Sequence, residues 1–72
     1  MPKLPVLSGK DVIKALSGIG YYVDHQVGSH IILINERGHR VSVPNHYELD
    51  RGTLRSIIRQ TGFTVNQFME LL

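Results

Sequence analysis

Cysteine is absent from the 72 residues. The chain can therefore form no disulfide framework, no thiolate nucleophile and no cysteine-based zinc site. Long apolar runs are absent too: the longest, Ile31 to Ile34, is far too short to span a bilayer. Met1 to Pro5 lacks the apolar stretch of a signal peptide, so a soluble, cytoplasmic protein with no membrane partner is expected. Length is also scarce. Residues 1–72 fit one domain. A chain of this size buries only about 60% of its unfolded surface, which leaves a single thin core. A deep substrate cavity, a large cofactor fold and a second catalytic domain are thereby excluded, and no cofactor is expected. Without staples, such a domain relies on tidy helix–sheet packing or on a partner.

Charge of one sign is in short supply as well. Eight Lys and Arg face six Asp and Glu, for a net +2 with four His neutral. The distribution is uneven. Residues 1–36 balance Lys3, Lys10 and Lys14 against Asp11, Asp24 and Glu36. Residues 37–72 carry Arg37, Arg40, Arg51, Arg55 and Arg59 against three acids, together with His39 and His46. Arginine suits forked contacts with phosphate, so the second half gives a weak hint of a nucleic-acid partner.

Local signals set the order of elements. Residues 1–7 carry two prolines and read as an extended lead-in. Ser8-Gly9-Lys10-Asp11 fits a capping box, and Val12, Ile13, Leu16 and Ile19 follow at helical spacing. Gly18 and Gly20 supply the stop, which predicts a helix over 9–18. Tyr21 to Val27, His30 to Asn35 and His39 to Val43 read as strands. Gly28-Ser29 and Asn35-Glu36-Arg37-Gly38 read as the turns between them. Pro44 cannot donate to a ladder and is expected to end the last strand. Thr53 is a candidate cap for a second helix with a Leu54, Ile57 and Ile58 stripe, stopped at Gly62. Thr64 with Gln67 is another capping-box candidate, ahead of a short helix packed through Phe68, Met69, Leu71 and Leu72. The sum is α+β: an α-β-β-β-α order with a three-stranded antiparallel sheet and an added C-terminal helix.

Four groupings could carry chemistry. Gly28-Ser29-His30 puts a histidine at the mouth of a tight hairpin, where an imidazole can move protons near neutrality. Backbone N–H groups beside Gly28 could also approach a phosphate. An ordinary turn followed by a strand-edge histidine explains the same residues. Arg51, Arg55 and Arg59 recur at every fourth position, so the last two share one side of the second helix. They could track a sugar-phosphate backbone or form a solvated face. The four histidines are spaced by five, nine and seven residues, which matches no standard zinc or iron pattern. Metal is not expected. Ser29 cannot serve a Ser–His–acid triad with His30, since strand neighbours point to opposite faces. Asp24 with Glu48 or Asp50 has no spacing that suggests an acid pair. Tyr21, Tyr22 and Tyr47 could stack on bases, with one of the consecutive pair facing the core.

Taken in order, four segments resemble the HicA (YcfA-like) family, the toxins of HicA–HicB toxin–antitoxin pairs. They are Leu7-Ser8-Gly9-Lys10-Asp11-Val12-Ile13-Lys14-Ala15-Leu16, His25-Gln26-Val27-Gly28-Ser29-His30, Val41-Ser42-Val43-Pro44-Asn45-His46, and Gly52-Thr53-Leu54-Arg55-Ser56-Ile57-Ile58-Arg59-Gln60-Thr61-Gly62-Phe63. The resemblance implies a double-stranded-RNA-binding-domain-like fold. It also implies a metal-independent endoribonuclease that cuts single-stranded or structured mRNA until a HicB-type antitoxin neutralises it. The family's single catalytic histidine falls on His30. Gly28, Ser29, His25, Arg40, Arg55 and Arg59 are the expected RNA contacts. The toxin would be a monomer or weak dimer when free and a hetero-oligomer with its antitoxin. A catalytically silent RNA-binding or antitoxin-binding module of the same fold is the alternative. Many members carry basic or polar residues after this histidine, whereas Ile31 to Ile34 are apolar here and could serve antitoxin contact.

Overall fold

The computed structural model describes residues 4–72, so Met1 to Lys3 of the lead-in lie outside the described residues. The order of elements is α1 (Gly9–Ser17), β1 (Tyr22–Val27), β2 (His30–Ile34), β3 (Arg40–Pro44), α2 (Arg51–Thr61) and α3 (Val65–Met69). The strands form an open antiparallel sheet in the order β1-β2-β3. This is the α+β arrangement expected, with the added helix in place.

Both capping boxes form. The Ser8 hydroxyl accepts the Asp11 N–H at 3.1 Å, while the Asp11 carboxylate accepts the Ser8 N–H at 3.0 Å. The Ser8 backbone N–H foremost, and then the Ser8 side chain, hold the Asp11 carboxyl below its ordinary value. Thr64 and Gln67 repeat the exchange at the start of α3. Helix α2 departs from the expected start. Its cap is Asp50, not Thr53: the Asp50 carboxylate accepts the Thr53 N–H at 2.6 Å, and the helix begins at Arg51. The same backbone donor lowers the Asp50 carboxyl. Pro44 is the last residue of β3 and pairs with His30, so the strand runs Arg40–Pro44 and not His39 to Val43. As an outermost strand, β3 can hold a residue that donates no ladder bond.

Register decides which residues meet the helices. Leu33 pairs with Val41 and Ile31 with Val43, and Leu33, Val41 and Val43 are fully buried. They share one core with Val12, Ala15 and Leu16 of α1, Leu54, Ile57 and Ile58 of α2, and Phe68 of α3. Each fully buried side chain of this size contributes about 1.5–3 kcal/mol relative to exposure. The lead-in joins the same core through Leu4 and Leu7, and the Leu7 carbonyl accepts the Leu49 N–H at 2.8 Å. The helices therefore cover one sheet face. The other carries His30, Ile32 and Ile34 with their β3 partners Pro44, Ser42 and Arg40, and no helix among the described residues packs on it.

Candidate functional site

Val27 and His30 close the β1–β2 hairpin around Gly28 and Ser29. Gly28 has φ +58°, and among the described residues only glycines have positive φ, so Ser29 keeps an ordinary backbone. A positive φ at the first central residue alone is the pattern of a type II′ turn, which suits the twist of paired strands. The Gln26 amide donates to the Gly28 carbonyl at 2.9 Å and steadies the turn. One rung further, the Asn45 N–H donates to the Ser29 carbonyl at 2.7 Å, extending the β2–β3 ladder past Pro44.

His30 stands beside this turn on the helix-free face, exposed, with Val27 and Pro44 as its cross-strand neighbours. Its position follows from alternation: Ile31 and Leu33 turn inward, so His30, Ile32 and Ile34 turn outward. His25 pairs with Ile32 and so lies on the same face, diagonal to His30. Diagonal neighbours on a sheet are about 7–8 Å apart.

A bulge between Val23 and His25 leaves Asp24 without a partner on β2. It places Val23 beside Leu33, where uninterrupted pairing from the turn would put the Asp24 carboxylate. A bulge also lets consecutive side chains meet. Asp24 Oδ2 lies 2.7 Å from His25 Nδ1, the only ion-pair contact among the described residues. If Nδ1 carries the proton and donates it, His25 presents Nε2 to solvent.

The structure thus gathers Gly28, Ser29, His25 and His30. It does not add the arginines to them. Arg40 shares the outer face but pairs with Ile34 at the far end of β2. Arg55 and Arg59 are exposed on α2, in the helical layer on the opposite side of the sheet. There they line a separate cleft of about 280 Å³ with Ile58, Phe63, Thr64 and Val65. Of the tyrosines, Tyr21 is 5% exposed and in the core, while Tyr22 and Tyr47 are open to solvent.

One group just past the end of β3 is not apparent from the sequence. Ser8, Lys10, Asn45, His46 and Tyr47 line an open cleft of about 220 Å³. It forms because the Gly9 N–H donates to the His46 carbonyl at 2.8 Å, docking the first turn of α1 on the chain just past β3. A Cβ on Gly9 would collide with the Pro44 carbonyl oxygen. The only sequence signal for this docking is the glycine inside the first capping box.

A meander sheet with both long helices on one face and a histidine on the open face defines a double-stranded-RNA-binding-domain-like α+β protein. Within that class, residues 9–63 match a family model described as the HicA toxin of bacterial toxin–antitoxin, and the chain belongs to that family. The matched span runs from α1 to just past α2, leaving α3 as an addition. A search of curated proteins gave no match. Among the described residues no helix is long and apolar enough to cross a membrane.

Proposed function

We propose that this toxin is an endoribonuclease that cuts mRNA, with His30 as a catalytic residue, and that a HicB-type antitoxin restrains it in the cytoplasm. The observation that carries the reading is His30 itself, exposed beside a glycine turn on a sheet face that no helix covers. RNA brings its own nucleophile, the 2′-hydroxyl. The protein need only move protons and stabilise charge on the phosphorane, which a shallow site can do. His30 accepts the 2′-hydroxyl proton or protonates the leaving 5′-oxygen. Backbone N–H groups near Gly28, over which the space is open, offset the phosphate charge. His25 and Ser29 contact the RNA beside them. Arg40, Arg55 and Arg59 hold the strand away from the bond that breaks.

The test is purified protein on a defined mRNA fragment, with and without EDTA, beside His30→Ala. Expected products carry 2′,3′-cyclic phosphate and 5′-hydroxyl ends, EDTA has no effect, and the same sequence as DNA is not cut. His30→Ala lowers the rate on the order of 10²–10⁴-fold. Loss of cleavage on chelation overturns the metal-free mechanism. Full activity in His30→Ala overturns the assignment of the histidine.

A further inference from the structure

We propose that His46 is the second proton-transfer residue of this reaction, acting with His30 on opposite sides of the scissile phosphate. The inference rests on the ribonuclease reading above and deepens it. Attack by the 2′-oxygen on phosphorus expels the 5′-oxygen roughly in line, so the two oxygens lie on opposite sides of the phosphorus. An imidazole at one of them is out of reach of the other in the same step. The chemistry therefore favours two groups.

The step balances with two histidines. One neutral imidazole takes the 2′-hydroxyl proton as the 2′-O–P bond forms. As the P–O5′ bond breaks, the other imidazolium gives its proton to the departing oxygen. The products are a 2′,3′-cyclic phosphate and a 5′-hydroxyl, and the imidazoles regain their starting states by exchange with water.

His46 follows the cross-strand partner of His30 closely in the chain. Pro44 is the cross-strand partner of His30, and His46 lies two residues further on, folded back by its own N–H bond to the Pro44 carbonyl at 2.9 Å. Chain geometry keeps the two α-carbons within about 13 Å, and a phosphate between two histidine side chains fits that span. The 220 Å³ cleft that His46 lines also holds Lys10, a cation with no carboxylate within ion-pair distance among the described residues. Tyr47, 98% exposed at its rim, offers an open ring for a flanking base.

The rival on the sheet is His25. Its partner is the Asp24 carboxylate at 2.7 Å, and a carboxylate there repels a phosphate. Charge thus favours the cleft with Lys10.

A leaving group that needs no proton separates the roles. The substrate is one oligoribonucleotide made with either an ordinary linkage or a single 5′-bridging phosphorothiolate, whose sulfur departs as thiolate. On the ordinary linkage both His30→Ala and His46→Ala lose on the order of 10²–10⁴-fold. On the phosphorothiolate, one of the two returns to near the wild-type rate and identifies the acid, while the other stays slow. The substitution leaves both backbone bonds of His46 in place, and its side chain is exposed, so the fold survives. The proposal is overturned if His46→Ala cuts the ordinary linkage normally, if both variants are equally slow or equally restored on the phosphorothiolate, or if His25→Ala shows the leaving-group rescue instead. A wild-type protein that cuts neither linkage sinks the ribonuclease reading itself, and a His46 effect without a His30 effect overturns the role of His30 and with it the proposed pair.

Discussion

Gly9 looks in the sequence like filler inside a capping box, yet it sits where α1 comes too close to the end of β3 to admit a Cβ. Its missing side chain lets α1 lie against the Pro44–Asn45 backbone, and its N–H holds the His46 carbonyl. Nothing local to Ser8-Gly9-Lys10-Asp11 reveals this, because the colliding atom is 35 residues away in the chain. Gly9→Ala should destabilise the domain by about 1–3 kcal/mol, the usual cost of overpacking. It should also displace the segment that carries His46. Urea unfolding beside the cleavage assay checks both, and a stability equal to wild type would mean that the helix start can shift freely. The cap of α2 is a second residue-scale lesson. Asp50 and Thr53 are both good capping types, and starting at either leaves Leu54, Ile57 and Ile58 on the core side. Apolar periodicity cannot locate a polar first turn, so the choice between them is not legible in the chain.

Among the elements, those with paired local signals are the legible ones. Ser8 with Asp11 and Thr64 with Gln67 each fix a helix start by two reciprocal bonds, and both spacings are visible in the chain. The Gly28-Ser29 turn is equally legible, and with it the place of His30 at the start of β2. Strand β1 is not. Its bulge at Asp24 follows from pairing with β2, which puts Val23 and not a carboxylate beside Leu33. No period-two pattern in Tyr22–Val27 announces that shift. The same long-range register turns Ile32 and Ile34 outward, half-buried on the face that carries His30 and outside the main core. We propose that a HicB-type antitoxin covers His30 by docking on this apolar strip. Ile34→Thr keeps a β-favouring residue at the far end of the strand from His30. It should weaken antitoxin binding about tenfold by calorimetry, the worth of part of a buried side chain, while the free toxin cuts RNA as before. An unchanged affinity would place the antitoxin elsewhere.

For the molecule as a whole, the sheet divides the charge. The open face carries histidines, isoleucines and a single arginine, Arg40, at its far end, whereas Arg51, Arg55 and Arg59 project from the helical layer with no acidic partner within ion-pair distance among the described residues. A net charge of only +2 gives weak long-range attraction, so under the ribonuclease reading proposed above RNA affinity rests on this local stripe more than on the overall balance. The four-residue repeat of these arginines is plain in the sequence, but not that a sheet would stand between them and His30. If they hold the RNA backbone away from the reacting bond, removing them weakens binding without slowing the chemical step. Arg55→Ala with Arg59→Ala should lower the salt dependence of RNA binding, the slope of log K against log salt falling by about 0.7 for each single-strand phosphate no longer neutralised. Cleavage kinetics of the double variant should then show a raised KM and a kcat within about twofold of wild type, as expected when binding weakens equally in ground and transition states. A fall in kcat with KM unchanged would instead bring these guanidinium groups to the scissile phosphate, which requires the RNA to wrap the edge of the sheet.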